Sequence, residues 1–306
     1  MAAPGRAETM MSETQQILVP DDFSECSRVA LDYAVSFAER IGARIALVHA
    51  YGLPHEALAA YEMALPEDLE RAVREAAEAK LREDLSRVES AGIAADSHLA
   101  RADAPHAIVD AAARLEARWI VMGTHGHSGI EQLLLGSVAE RVLRLAPCPV
   151  ISVRPPSAGR RTLQLKKILV PTDFSAAARR ALDVAQGLAR SAGAAEIQLL
   201  HSTFVSAPLR SLLEPDSERK NATAARGVHD ELERWLEPLR NAGLSASYAL
   251  SRERPEQAIV EAARLQGADL IAMGTHGRTG LPHALLGSVA ERVVRAAPCP
   301  TLTTRP

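Results

Sequence analysis

The chain has 306 residues, with Lys+Arg 35 against Asp+Glu 38 and a formal net charge of −3. At about 150 residues per domain this length predicts two domains, each large enough to bury a core of its own. The 47% hydrophobic and 24% charged content excludes a largely disordered chain. The near-neutral balance removes the electrostatic case for nucleic acid, and Phe 4, Tyr 4 and Trp 2 are too few for a platform that stacks single strands. No run approaches 18 apolar residues, so no membrane-spanning helix is expected, and the first residues lack the apolar core of a secretory signal. Cys26, Cys148 and Cys299 are too few and too far apart for a disulfide framework or a zinc knuckle, and they read as small buried hydrophobes. The expectation is a cytoplasmic protein that engages neither membrane nor nucleic acid.

Residues 1–13 show no periodicity and are expected to form a mobile tail. Residues 17–19 form a short apolar run ended by Pro20, read as a buried strand. Ser24 is the expected N-cap of a helix whose stripe is Leu31, Ala34, Val35 and Ala38. A second strand is read at 45–48, a long charge-laced helix at 66–91 and a third strand at 93–99 after the Ala91-Gly92 stop. A helix at 105–115, a strand at 119–122, a helix at 137–145 and a last strand at 150–153 complete the first half.

The second half repeats the first. Ile17-Leu18-Val19-Pro20 returns as Ile168-Leu169-Val170-Pro171, and Asp22-Phe23-Ser24 as Asp173-Phe174-Ser175, both at an offset of 168 − 17 = 151. The segment Gly136-Ser137-Val138-Ala139-Glu140-Arg141-Val142 returns unchanged from Gly287 to Val293. The offset slips to 152 at His49/His201, as one insertion in a surface loop allows. A period this long is a duplicated domain rather than a solenoid unit. The boundaries read as a first domain over 14–154, a Pro, Gly and Arg-rich linker over 155–164, and a second domain over 165–306. Strand–helix alternation predicts two tandem α/β domains, each a doubly wound parallel sheet of five strands.

The chemistry is concentrated after the fourth strand of each half. Gly123-Thr124-His125-Gly126-His127-Ser128-Gly129 leads to Gly136-Ser137, and Gly274-Thr275-His276-Gly277-Arg278-Thr279-Gly280 leads to Gly287-Ser288. Glycines let backbone N–H groups approach an anion, and a helix starting at Ser137 or Ser288 adds its positive end and a hydroxyl. The P-loop lysine motif and the dinucleotide fingerprint are both absent from the sequence. Glycines after a strand also serve plain turns, but two copies at one spacing, each ending at the same helix, favour phosphate binding. Asp22 and Asp173, at the ends of the first strands, are read either as helix caps or as ligand contacts, and both roles can coexist.

The spacing Gly123, Gly126, Gly136-Ser137, repeated as Gly274, Gly277, Gly287-Ser288, resembles the ATP-binding motif of the universal stress protein family. Pro-Asp-Asp-Phe-Ser at 20–24, Pro-Thr-Asp-Phe-Ser at 171–175 and the two Pro-Cys-Pro segments resemble it too, so the likeness runs from about residue 14 to 306 as a tandem member. The resemblance implies a strand order 3-2-1-4-5 and a crevice between strands one and four. It assigns Pro20, Asp22, Pro171 and Asp173 to the adenine and ribose side, and Ala50 and Ser202, after the second strands, to the adenine edge. It assigns Gly123, Thr124, Gly126, Gly129, Gly136, Ser137 and Val138 to the phosphates, with Gly274, Thr275, Gly277, Gly280, Gly287, Ser288 and Val289 as their second set. ATP is the implied ligand, and Mg²⁺ accompanying it needs only one or two protein ligands besides phosphate oxygens.

Two departures stand out. Ala102-Asp103-Ala104 and Glu253-Arg254-Pro255 replace the Gly-x-Pro that family members often carry, and Asp21 stands where the second copy has Thr172. The histidines lack metal-ligand spacing, and His49 and His201 read as satisfied core or rim residues. The resulting expectation is an ATP-binding stress-response sensor with two sites and an unidentified protein partner. The last strand of each domain is an edge expected to pair the domains, and a homodimer of tandem chains would follow the same logic. Rivals are a slow ATPase or phosphotransferase, an interaction module without nucleotide, and a site for another adenine nucleotide such as cyclic AMP.

Overall fold

The computed structural model describes residues 15–51, 67–125, 135–155, 164–193, 196–204, 217–275, 277 and 286–305, with only the backbone described at 192 and 217–225. The expected tail over 1–13 and most of the expected linker lie outside the described residues. Contacts divide the chain into two units, Met1–Leu163 and Gln164–Pro306.

In the first unit β1 (Gln16–Pro20), α1 (Glu25–Ile41), β2 (Arg44–Tyr51), α2 (Glu67–Ser90), β3 (Ala95–Arg101), α3 (Ala104–Arg114), β4 (Trp119–Gly123), α4 (Ser137–Leu145) and β5 (Val150–Val153) follow one another. β1 pairs with β2 and with β4, β2 with β3, and β4 with β5, all parallel. The order is therefore 3-2-1-4-5, with the chain reversing direction across the sheet between β1 and β4. In the second unit β6 (Lys167–Pro171), α5 (Ala176–Ala192), β7 (Glu196–Ser202), α6 (Ser217–Asn241), β8 (Ala246–Ser251), α7 (Pro255–Gln266), β9 (Leu270–Gly274), α8 (Ser288–Ala296) and β10 (Thr301–Thr304) give the same order.

The strands read as unbroken apolar runs because both faces are covered. Ile17, Leu18 and Val19 are all fully buried. In the second unit Leu169, Ile271 and Met273 pack with Ile259 of α7 and Val293 of α8 on one face. The alternate residues Ile168, Val170, Leu270 and Ala272 are buried on the other, where α5 lies against β6 and β9. α1 begins at Ser24, whose Oγ accepts from the Ser27 N–H at 3.1 Å, and ends at Gly42 in the left-handed conformation. α5 begins in the same way at Ser175, with Ala178 N–H at 3.2 Å.

The third strands start later than the periodicity suggests. Ile93 N–H returns to Val88 O and Leu244 N–H to Leu239 O, so these apolar residues close the preceding helices instead of opening strands. β2 runs three residues beyond its apolar core, through His49, Ala50 and Tyr51.

Candidate functional site

The turn that follows the first strand is built twice by the same device. Asp21 N–H donates to Val48 O at 2.9 Å and Thr172 N–H to Leu200 O at 2.8 Å, which carries the ladder one residue past β1 and β6. Phe23 N–H then donates to Asp21 Oδ1 at 2.8 Å and Ser24 N–H to Asp22 Oδ1 at 3.1 Å. In the second domain Phe174 N–H donates to Thr172 Oγ1 and Ser175 N–H to Asp173 Oδ1, both at 3.0 Å. These bonds hold Phe23 and Phe174 at φ 63, a left-handed conformation that costs a bulky residue on the order of 1–3 kcal/mol.

The histidines brace the strained residues. Phe23 stacks on His49 with ring centroids 4.3 Å apart, and Phe174 lies 4.7 Å from His201. His49 Nδ1 is 2.7 Å from Asp21 O, and His201 Nδ1 is 2.8 Å from Thr172 O. A carbonyl only accepts, so each Nδ1 carries the proton and donates. Asp22 and Asp173 each commit one oxygen to the turn, while the helix caps are the serines that follow.

The glycine-rich segments are pinned at their bases. Thr124 N–H donates to Val153 O at 3.1 Å, and Gly136 N–H returns to Thr124 O at 2.8 Å. Thr275 N–H donates to Thr304 O and Gly287 N–H to Thr275 O, both at 2.9 Å. Thr124 and Thr275 are buried, and Thr275 Oγ1 also donates to Thr304 O. The glycines have separate tasks. A Cβ on Gly123 would lie 2.7 Å from Cys26 Sγ, and one on Gly274 would lie 2.7 Å from Ala177 Cβ and 2.9 Å from its carbonyl carbon. Both positions let a helix start close against a strand end. A Cβ on Gly277 would lie 2.7 Å from Asp173 Oδ2, so this glycine brings the loop onto the carboxylate at the end of β6. Gly126, Gly129 and Gly280 lie outside the described residues, as do His127, His276, Arg278 and His283.

A cavity of about 250 Å³ opens at the carboxyl ends of β1, β2 and β4. Pro20, Asp21 and Asp22 form one side, and Val48, His49 and Ala50 come from β2. Ala104 and Ile108 of α3 and Met122 of β4 add apolar wall, while Gly123, Thr124, Gly136, Ser137, Val138 and Ala139 close the far end. The N–H groups of the first turn of α4 have no acceptor within their own helix, and Gly136 supplies no side-chain cap. That end of the cavity suits an anion. Pro171, Asp173, Gly274, Thr275, Gly287, Ser288 and Val289 occupy the equivalent strand and helix ends of the second domain. Ala50 and Ser202, expected just after the second strands, lie within β2 and at the last position of β7. Ser202 Oγ donates to Glu253 O at 2.6 Å.

Sequence reasoning passed over the lining contributions of Val48, Ala104, Ile108 and Met122, and the importance of Asp21. Ile108 and Ile259 stand at matched positions of the two copies, four residues into α3 and α7, and that recurrence was the available signal. Asp21 is 4% exposed, and its Oδ2 is buried with no hydrogen-bond partner. Burial pushes its carboxyl up from 3.8 to about 6; the nearby Ser27 hydroxyl and the Phe23 N–H oppose the rise, and the facing Asp84 carboxylate of α2 adds to it.

Among the described residues no group of three or more His, Cys, Asp or Glu is arranged to hold a metal ion. Burial pushes the Cys148 and Cys299 thiols up to about 12, so both stay protonated and unreactive at neutral pH. Among the described residues no helix is long and apolar enough to cross a membrane.

Comparison with known proteins gives one answer at every level. The profile described as the universal stress protein family matches twice, over residues 13–154 and 164–305. A universal stress protein of Methanocaldococcus jannaschii is 36% identical over 147 residues, which is 46% of this chain and 82% of that protein. One from Mycobacterium tuberculosis is 27% identical over 294 residues, 94% of this chain and 96% of that protein. Among solved structures, a universal stress protein from Archaeoglobus fulgidus superposes with a TM-score of 0.71 at 24% identity, over 96% of this chain and 99% of that one, which shows the shared fold.

Proposed function

The chain belongs to the universal stress protein family, and from that premise we propose that each of its domains binds an adenine nucleotide, ATP in the first instance, and that occupancy of the two sites is its signal. The observation that carries the reading is the cavity at the reversal between β1 and β4, apolar along Val48, Ala50, Ile108 and Met122 and open at one end to the first N–H groups of α4. Ligands of open α/β sheets bind at such reversals. The volume of about 250 Å³ is below the roughly 300–1,000 Å³ that encloses a drug-sized ligand. It suits the nucleoside end of a nucleotide, with the phosphates running toward the glycine-rich segment.

In this reading the residues divide by chemistry. The apolar wall from β2 and α3 takes the flat base. Asp22 and Asp173, in the turns after the first strands, lie on the side that takes the ribose. The Ser137 and Ser288 hydroxyls and the N–H groups behind them take phosphate oxygens. Mg²⁺, where it accompanies the nucleotide, neutralises phosphate charge. The role is binding rather than turnover: residues 123–136 contain no Lys or Arg, and the second segment has only Arg278. Phosphoryl transfer depends on such charges, an arginine finger alone contributing about 10³–10⁵ in rate.

Mass analysis of the small molecules released when the purified full chain is denatured tests the ligand. Adenine nucleotide at up to two per chain is expected. Protein that releases none, and that takes up none after incubation with ATP, would favour an interaction module without nucleotide.

A further inference from the structure

The two domains differ at three positions that meet in space. Asp21, Ser27 and Asp84 of the first domain correspond to Thr172, Ala178 and Trp235 of the second, each at the offset of 151. In the second domain Trp235 of α6 is buried, lies edge-on to Phe174 at 5.6 Å and carries the Arg179 guanidinium over its ring at 3.7 Å. In the first domain that place holds Asp84, facing Asp21. Both carboxyls are buried, and Asp21 also lines the cavity.

The two carboxyls have unequal partners. Asp84 Oδ1 accepts from Arg87 Nη1 at 2.8 Å, and Arg87 Nη2 also donates to Asp32 of α1 at 2.9 Å. Asp21 Oδ1 accepts from the Phe23 N–H, but its Oδ2 has no donor. A proton on the Asp21 carboxyl makes it a donor beside the facing Asp84 and removes the repulsion between two buried charges.

We infer that Asp21 and Asp84 form a proton-binding site in the wall of the first cavity, and that the proton held there favours an anionic ligand in this domain alone. The coupling rests on the reading of that cavity as a nucleotide site; the proton site itself does not. The other charged or titratable groups around the pair are Asp22 on the same turn, His49 from β2, His125 beyond β4, Lys80 and Arg87 from α2, and Asp32 from α1. His49 and His125 are ionisable too, so the contrast has to be made at Asp21 itself. The sign follows from the direction of its shift. A carboxyl that is more readily protonated when folded supports the fold fully below its unfolded value of 3.8, and that support is lost as pH rises through about 6. Above that pH the wall gains a negative charge beside the ligand.

Asp21→Asn tests this, since its amide can donate to Asp84 as the proton would and does not titrate. Thermal unfolding of the ligand-free full chain is followed from pH 5 to pH 8. Between pH 5 and pH 8 the wild-type first-domain transition is expected to fall relative to the variant's by on the order of 5 °C. Calorimetric titration with ATP over the same range is expected to show the affinity of one site falling about tenfold with rising pH in wild type. The same site should be nearly level in Asp21→Asn once the titration of ATP itself, read from the second site, is subtracted. Parallel unfolding profiles for the two proteins would overturn the proton site. A proton-linked unfolding profile with equal ATP profiles would overturn the coupling, and ATP binding at neither site at any pH would overturn the nucleotide reading itself.

Discussion

The two domains reach one backbone geometry by unlike means at the same place. Phe23 and Phe174 share φ 63, and each sits against a histidine from the neighbouring strand. The acceptor that holds the first is a carboxylate oxygen of Asp21, and the acceptor that holds the second is the hydroxyl of Thr172. Behind the turn one domain packs a carboxyl and the other an indole. The turn therefore demands an oxygen at one atom position and leaves the rest of the side chain free. What fills the space behind it sets the charge beside the cavity without altering the fold.

The largest effect expected from removing that difference is at Trp235. Trp235→Ala empties a buried site flanked by Phe174 and Arg179 and is expected to cost about 3–5 kcal/mol. Asp84→Ala removes a carboxyl whose burial is itself unfavourable and is expected to cost far less, so denaturant unfolding should show only the second domain strongly weakened. A loss of equal size in both domains would mean that the two fillings contribute alike.

A smaller contrast lies at the strand ends. The Cβ of Gly274→Ala would press on backbone at 2.9 Å, whereas that of Gly123→Ala would press most on the Cys26 sulfur, with backbone no nearer than 3.1 Å. A cost of about 1–3 kcal/mol is expected for each, with Gly274→Ala the larger, and the double variant Gly123→Ala with Cys26→Ala should recover part of the loss. The smallest contrast is none. Ser24→Ala and Ser175→Ala remove equivalent caps and are each expected to cost about 1 kcal/mol, to be checked by the same denaturant series.

The alternation of elements was legible because parallel strands buried on both faces leave short apolar runs bounded by Pro, Gly and charge, whereas the strand order followed only from the family resemblance. Ile93 reads as a strand residue because an apolar residue that closes a helix has the same composition as one that opens a strand. The end of β2 was missed because His49, Ala50 and Tyr51 break the apolar run while the backbone continues to pair. At the site, glycine spacing announced the loops but not their division of labour, since a glycine that lets a helix approach and one that approaches a ligand are the same letter. Asp84 was silent because a mid-helix acid on a charge-laced helix ordinarily faces solvent. Aligning the copies residue by residue would have exposed it, since Asp21, Ser27 and Asp84 all change together.

Calorimetric titration of ATP into the full chain, wild type beside Gly277→Val, is the most direct measurement of whether this is a two-site nucleotide-binding protein. Wild type is expected to take up two ATP per chain. Gly277→Val, which drives a side chain into Asp173 Oδ2, is expected to take up one, with the first-domain affinity unchanged and the fold retained by circular dichroism. Two sites of unaltered affinity in Gly277→Val, or no uptake by wild type, would contradict it.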